Sequence, residues 1–332
     1  MKVGVLQFFS WPERRVALET VYARAFQRIE VMDRTGYDAV WLAEHHFTGY
    51  SVCPSVHLMG MHVASRTRRL RIGTAVSLAA FYHPLRLAEE VALLDVLSGG
   101  RVNWGAGRGF DRNEFTNFGV PPDESYPRFR EHFEIVLAAW TQERLSYRGR
   151  YFEFEGVEVL PKPLQKPHPP TWVAATSPPA IEWAAARGLS ILMDPHSTHA
   201  EIAEKRGLYA RELEKHGHTA AGRETPVARL LALGETRAEA EAVARRGAQW
   251  LVASYIDPKH RQVGLAGQGF LRLDRDPIER YLDGVVVWGS SEEVLDELLR
   301  LREEIPLDYL LCAPLSHKSF ELFTDRVLPR LA

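Results

Sequence analysis

The run Tyr37-Asp38-Ala39-Val40-Trp41-Leu42-Ala43, followed at once by Glu44-His45-His46-Phe47, decides how the rest of the chain is read. The run is short and apolar almost throughout, which suits a strand buried on both faces of a parallel sheet. Upstream, Leu18, Tyr22, Ala25, Ile29 and Met32 are spaced 4, 3, 4 and 3 residues apart. That spacing predicts one buried helix face, and Gly36 supplies its stop. Before that helix, Lys2–Gln7 is another strand run. The unit is therefore strand, helix, strand, with polar residues at the C-terminal end of the second strand.

The same unit recurs downstream. Strands are predicted at Leu70–Val76, Arg101–Gly105, Thr171–Ala175, Leu189–Leu192, Arg229–Leu233 and Tyr309–Cys312, which with the first two makes eight. Helical patterns alternate with them at Pro54–Arg68, from Pro84 to Ser98-Gly99-Gly100, and at Arg128–Arg144, Pro178–Arg187, Ala200–Lys215, Arg237–Leu251 and Ser291–Glu304. Thr198 with Glu201, Thr236 with Glu239 and Ser290 with Glu293 have the spacing of capping boxes. Alternation of this kind predicts an α/β fold, a closed (β/α)8 TIM barrel. An open doubly wound sheet would more often show a glycine-rich turn after its first strand, whereas Phe8-Phe9-Ser10-Trp11-Pro12 stands there. Two stretches break the alternation. Leu145–Lys166 reads as a small hairpin with a proline-rich return. Tyr255–Val287 reads as an insertion before the last βα unit, functional or mobile at that length. Its Lys259, His260 and Arg261 suit a solvated loop. Residues 1–332 read as one barrel domain.

Composition narrows the function classes. Of 332 residues 45% are hydrophobic and 25% charged, and 41 basic against 43 acidic residues leave a formal net charge of −2. No basic run makes a patch for nucleic acid or an acidic membrane. Cys53 and Cys312 are too few for a disulfide framework and suit a reducing compartment. The N-terminus lacks a small-residue cleavage site, and no apolar run reaches the length of a membrane span. These features point to the cytoplasm.

In a barrel the C-terminal ends of the strands carry the chemistry. Glu44, His45 and His46 stand at one such end, where a histidine is placed to hold or pass a proton near neutral pH. A rim histidine bonded to backbone is the structural alternative. Adjacent strand residues face opposite sides, which argues against all three sharing a metal ion. After the third strand, Ala75-Val76 begins a stretch of small residues that would admit a flat ring. After the fourth, Gly105-Ala106-Gly107-Arg108-Gly109 lets backbone approach an anion while a guanidinium binds it. After the fifth, Ala175-Thr176-Ser177-Pro178 reads as a helix start, with Ser177 as cap and N–H groups suited to a phosphate. Tyr126 and Arg128 could add donors. Asp194-Pro195-His196 offers further polar groups with no evident role. His57 and His62 read as packing or surface residues.

These segments, in order, resemble the bacterial luciferase-like flavin monooxygenase family. The resemblance rests on Gly36 to Phe47, Ile72-Gly73-Thr74-Ala75-Val76, His83-Pro84-Leu85-Arg86, Leu94 to Arg101, Gly105 to Gly109, Ala174-Ala175-Thr176-Ser177 and Gly289-Ser290-Ser291-Glu292-Glu293. It implies a (β/α)8 barrel binding reduced FMN as co-substrate, delivered by a separate flavin reductase. It implies that dioxygen adds to the flavin and that the flavin peroxide oxidises a small organic substrate. It also implies a homodimer. By position, His45 matches the family's acid–base histidine. Ala75-Val76 matches a strand-end pair, often joined by a non-prolyl cis peptide, that supports the flavin ring. Arg108, Tyr126, Ala175, Thr176 and Ser177 match the cofactor-binding positions, with the phosphate at Arg108, Tyr126, Thr176 and Ser177. Gly107 stands where the light-emitting members carry a cysteine, which argues against an aldehyde-dependent light emitter. The leading expectation is an FMN-dependent monooxygenase with no metal. The alternatives are a deazaflavin-dependent oxidoreductase of the same family, a flavin-binding protein without turnover, and a metal-dependent hydrolase.

Overall fold

The computed structural model describes residues 1–255 and 276–331. Most of the expected insertion, including Lys259, His260 and Arg261, therefore lies outside the described residues. In chain order the elements are β1 (Lys2–Gln7), α1 (Leu18–Arg34), β2 (Ala39–Leu42), α2 (Val56–Arg66), β3 (Arg71–Thr74), β4 (Ser77–Leu78), α3 (Pro84–Leu97) and β5 (Val102–Gly107). Then come α4 (Arg112–Asn117), α5 (Ser125–Thr141), β6 (Leu145–Arg148), β7 (Glu153–Val157), β8 (Thr171–Ala174), α6 (Pro178–Ala186), β9 (Ser190–Leu192) and α7 (His199–Lys215). The last third holds β10 (Pro226–Leu233), α8 (Arg237–Tyr255), α9 (Pro277–Gly284), β11 (Val286–Gly289), α10 (Ser291–Glu304), β12 (Tyr309–Pro314), α11 (His317–Leu322) and α12 (Leu328–Leu331).

The main sheet is parallel and curled, in the order β11-β10-β12-β1-β2-β3-β5-β8-β9, with helices outside. Its ends approach through an isolated parallel bridge between Met193 and Val227. Side chains alternate between two cores, as the strand period requires. Val3, Val5, Val40, Leu42, Val227, Leu231, Leu310 and Cys312 pack outward against the helices. Leu6, Ala39, Trp41, Trp172, Ala228, Leu230, Tyr309 and Leu311 fill the interior. Trp41 meets Trp172 and Tyr309 edge-on at 5.3 and 6.1 Å, and its indole N–H donates to the Tyr309 hydroxyl at 3.1 Å. Two strands, β1 and β3, make room for it with glycine, and a third glycine serves the neighbouring Thr74. A Cβ on Gly73 would stand 2.2 Å from the indole, and one on Gly4 would stand 3.2 Å from it. A Cβ on Gly105 would meet the Thr74 carbonyl oxygen at 2.1 Å.

The hairpin is present as β6 and β7, tied down by buried Glu131, whose carboxylate accepts from the backbone N–H groups of Arg150, Tyr151 and Phe152. The capping boxes at Thr198 and Ser290 are complete. At Thr236 only half of one forms, because the Glu239 carboxylate accepts from Glu235 N–H and Lys318 instead.

Two features depart from the sequence expectation. The tail of the insertion is regular structure: α9, then β11, whose strand pairs Leu230–Leu233 of β10 through residues Val286–Gly289. Helix α10 therefore follows an extra strand rather than closing a simple unit. The chain also ends in helices α11 and α12, which packed periodicity over so short a stretch does not announce. No helix among the described residues is long and apolar enough to cross a membrane.

The glycine positions around Trp41 give a direct test. Gly73→Ala and Gly105→Ala should each lower stability by about 1–3 kcal/mol, the usual cost of overpacking, read from urea unfolding midpoints. Midpoints unchanged from the parent would show that the interior has slack around the indole.

Candidate active site

Past Leu42 the chain of β2 keeps its alternation, so Ala43 joins the interior while Glu44 turns outward and His45 turns in. His45 lines a cavity at the C-terminal ends of the strands, where the void, open mouth included, is about 1260 Å³. Ligand pockets usually measure roughly 300–1,000 Å³. The imidazole sits edge-on between Tyr50 and Phe110, with ring centroids 4.9 and 5.9 Å away. Behind it, buried Glu114 of α4 places Oε1 3.7 Å from Nδ1, an ion-pair distance, and the same oxygen accepts from His46 N–H at 2.9 Å. On the outer face, His46 Nε2 lies 3.1 Å from Glu44, which also accepts from Tyr82 Oη at 2.7 Å and Leu78 N–H at 3.1 Å. Burial, then the Glu44 carboxylate, pushes the Tyr82 phenol far up, so it stays a donor. The Glu44 carboxylate thus bonds His46, Tyr82 and Leu78 N–H, while Glu44 also borders the cavity that His45 lines. Among the described residues no group of three or more His, Cys, Asp or Glu side chains is arranged to hold a metal ion.

Beside His45, Thr74 replaces part of the sheet ladder. Its hydroxyl accepts from Gly105 N–H at 2.9 Å and donates to Gly105 O at 2.7 Å. β3 then leaves β5, and the Ala75-Val76 peptide, which is cis, lines the cavity. Gly107 lies under it: a Cβ there would stand 2.4 Å from Val76 Cγ2. The missing side chain at Gly107 is what lets Val76 pack down against β5.

Basic and hydroxyl groups collect at the other end. Arg108 stacks on Tyr126 at 4.3 Å and donates to Ser125 Oγ at 3.0 Å. Arg130 lies over Trp183 at 5.3 Å and Tyr126 at 5.8 Å. Burial lowers both guanidinium pKa values. Tyr126 Oη is 3.1 Å from Ser177 Oγ, and Thr176 lines the same wall.

The placement of the expected residues differs in detail. His45, Ala75, Val76, Arg108, Tyr126 and Thr176 come together on the cavity wall, with Ser177 beside Tyr126. Ala175 does not join them: it is buried in the sheet–helix core, and Ala174 lines the cavity in its place. Ser177 stands at the N-cap position of α6 but makes no side-chain cap bond. Nor does α6 offer first-turn donors, since Pro178 and Pro179 have no N–H, and those of Ala180 and Ile181 donate to Ser177 O. What α6 and its neighbours offer here is therefore side chains rather than first-turn amides. Arg128 turns away, donating to Glu124 at 2.8 Å and lying over Tyr151. Arg130, which sequence reading passed over, faces in. Helix α5 begins at Ser125, so Tyr126 is in its first turn, and the i, i+4 partner that shares its face is Arg130.

The opposite wall carries Asp194, Pro195 and His196. Asp194 accepts from His196 N–H, Ser197 N–H, Ser197 Oγ and Lys205. Burial alone would raise its pKa, but Lys205 and the neighbouring donors hold it well below the carboxylate range. Burial pushes His196 down to about 4, and burial with Arg229 and Arg300 pushes His199 down to about 3.

The family model described as luciferase-like monooxygenase matches residues 1–308. The oxygenase component of the flavin-dependent trigonelline monooxygenase of Acinetobacter baylyi is 31% identical over 59% of this chain and 55% of its own length. The chain spans about half the length of the curated relatives it matches. Among solved structures, the monooxygenase RslO1 of Streptomyces bottropensis superposes over 100% of both chains with a TM-score of 0.84 and 25% identity. The oxygenating constituent of 3,6-diketocamphane monooxygenase of Pseudomonas putida, solved with FMN, shares the fold at a TM-score of 0.82 and 19% identity, over 99% of this chain and 98% of its own.

The two depressed histidines predict how stability depends on pH. Below about pH 6.5 the unfolded chain takes up protons at His196 and His199 that the folded chain refuses. Stability from these groups is complete above that pH and falls as the pH drops toward 4 for His196 and 3 for His199. Each contributes a slope of up to about 1.4 kcal/mol per pH unit. Urea midpoints should decline from about pH 7 to 5, and less steeply in His199→Gln. A flat profile in the parent protein would mean that both imidazoles are protonated in the fold.

Proposed function

The chain belongs to the luciferase-like monooxygenase family, and we propose that it is an FMN-dependent oxygenase of a two-component system acting on a small, largely apolar organic molecule. The site lies at the mouth of what we read as a closed (β/α)8 barrel. The observation that carries this reading is the division of one cavity into three parts: a proton-handling histidine, a wall segment at Ala75, Val76 and Gly107, and a cationic end at Arg108 and Arg130.

The residues fit reduced FMN. Its phosphate would be held by Arg108 and Arg130 with the hydroxyls of Tyr126, Thr176 and Ser177, and its ring would lie against Ala75 and Val76, which Gly107 lets pack close to β5. When bound, reduced FMN supplies the electrons that activate dioxygen. Glu114 behind Nδ1 of His45 favours a proton there, which leaves Nε2 to accept and return one on the cavity side. Apolar walls at Leu6, Phe8 and Leu311 exclude water and suit an apolar substrate. The trigonelline relative is named as an oxygenase component, which supports delivery of the flavin by a separate reductase. Cys53 and Cys312 are free and buried, which agrees with a cytoplasmic setting.

The homodimer expected from the family has a candidate face. The outer sides of α2 and α3 expose Leu58 (76%), Leu93 (46%), Val96 (39%) and Leu97 (58%). Apolar side chains so concentrated mark an interaction surface. Leu58→Asp combined with Leu97→Asp should convert a dimer to a monomer in sedimentation at micromolar concentration. A dimer that persists would place the interface elsewhere.

Anaerobic titration with reduced FMN, run in parallel with a reduced deazaflavin coenzyme, tests the cofactor. Reduced FMN should bind, and Arg108→Ala should weaken it by about 1.5–3 kcal/mol, the worth of a charge-assisted bond. His45→Ala should keep the flavin and lose at least about tenfold in oxygen-dependent turnover, the lower range of acid–base catalysis, with a substrate found by screening. Binding of the deazaflavin alone would transfer the site to hydride chemistry without oxygen.

A further inference from the structure

Of the two guanidinium groups on the cavity wall, Arg108 donates to Ser125, whereas Arg130 makes no hydrogen bond or ion pair among the described residues. Ring stacking alone holds it, 5.3 Å from Trp183 and 5.8 Å from Tyr126. Yet Glu134 stands one turn further along α5, at the spacing where arginine and glutamate side chains are neighbours. The same order and spacing gives ion pairs elsewhere in the chain: Arg86 with Glu90 at 2.7 Å, and Arg300 with Glu304 at 2.6 Å. On α5 the corresponding pair is open.

Glu134 is drawn the other way. Its Oε1 lies 3.7 Å from Nε of Arg187, the exposed residue that ends α6. Its Oε2 accepts from the Tyr147 hydroxyl of β6 at 3.5 Å. Arg187 also shares the Trp183 ring, with its guanidinium 4.9 Å from the centroid. That indole is buried against Phe129 and Phe133, so it gives both arginines a fixed seat. Two guanidinium groups and one carboxylate therefore meet around one ring, and the carboxylate goes to the outer arginine. Burial, and after it the Arg187 charge, lowers the Arg130 pKa, so the two cations feel each other. A carboxylate on Arg130 would take up its donors and set a negative charge beside the place where an anion would sit.

We propose that Arg187 is a positioning residue: by holding Glu134 it leaves Arg130 free to donate to an anionic ligand group at this end of the cavity. The proposal rests on the cavity being the FMN site of the previous section, with the phosphate at Arg108 and Arg130. Arg187 itself touches no ligand and acts through Glu134. Hairpin β6–β7 then has a part in the site as well. Glu131 of α5 ties the hairpin down, and Tyr147 of the hairpin returns to Glu134 of the same helix.

Anaerobic titrations of the full-length protein test it, with reduced FMN and with reduced riboflavin, which lacks the phosphate, as probes. Arg187→Met keeps an apolar chain against the indole and removes the charge. It should weaken reduced FMN at least about threefold, part of the worth of a charge-assisted bond, and leave reduced riboflavin unchanged. In a Glu134→Gln background the same substitution should cost less than about 1.5-fold, because no carboxylate is left to reach Arg130. That loss of effect separates positioning from a general charge effect, since a charge acting at a distance would weaken FMN equally in both backgrounds. Equal weakening in both backgrounds, no weakening in either, or an equal loss of riboflavin would overturn the proposal. A parent that binds reduced FMN no better than Arg187→Met does removes this proposal alone. A parent that binds no reduced FMN removes the reading beneath it as well.

Discussion

The indole of Trp41 is the constraint on which the rest of the structure depends. It occupies the interior of the sheet, and β1 and β3 each surrender a side chain to it at Gly4 and Gly73. Trp172 and Tyr309 close around its edges. Because strand residues alternate, fixing Trp41 inward also fixes every residue after it. Ala43 and His45 must face the interior, and Glu44 and His46 must face the helices. The inward position of His45 is thus a consequence of how a large ring four residues earlier is accommodated.

That alternation gives one strand end two separate tasks. Inside, His45 meets the cavity. Outside, Glu44, His46 and Tyr82 form a buried hydrogen-bonded group under α2 and α3, near His57, which bonds Ser77 and Glu90. Glu114 is common to both, since one oxygen accepts from His46 N–H and stands behind His45 Nδ1. Unpaired buried carboxylates are costly, and Glu44 and Glu114 are each supplied with hydrogen-bond donors. The histidine pair is therefore held by two carboxylates on opposite sides of the strand.

Most of the strands and the C-terminal location of the polar residues were legible in the sequence, because hydrophobic periodicity and the preference of barrels for sites at strand ends are both short-range rules. What was not legible depends on choices made one residue at a time. Ala174 and Ala175 are chemically identical, and only the pleat decides which meets the cavity. Arg128 and Arg130 are both basic residues near one helix start, and only the true start of α5 shows that Arg130 shares a face with Tyr126. Ser177 had the look of a helix cap, yet its hydroxyl lies against Tyr126. Asp194 and His196 were visible as polar groups, but the partner of the His196 ring is Tyr281, which is distant in sequence. Strand β11 is a four-residue run between two helices, too short for its pattern to stand out.

The two prolines that open α6 have a consequence for the history of this cavity. Phosphate grips made of main-chain amides are indifferent to mutation, because every residue except proline supplies the same N–H. Here the first turn of α6 withholds that contribution, and the cationic end consists of arginine, tyrosine and hydroxyl side chains. Each is encoded separately and can be exchanged without unravelling the helix behind it. This basic end of the cavity is consequently the part most open to gradual retuning by descent, while the tryptophan and glycines beneath it must be inherited together.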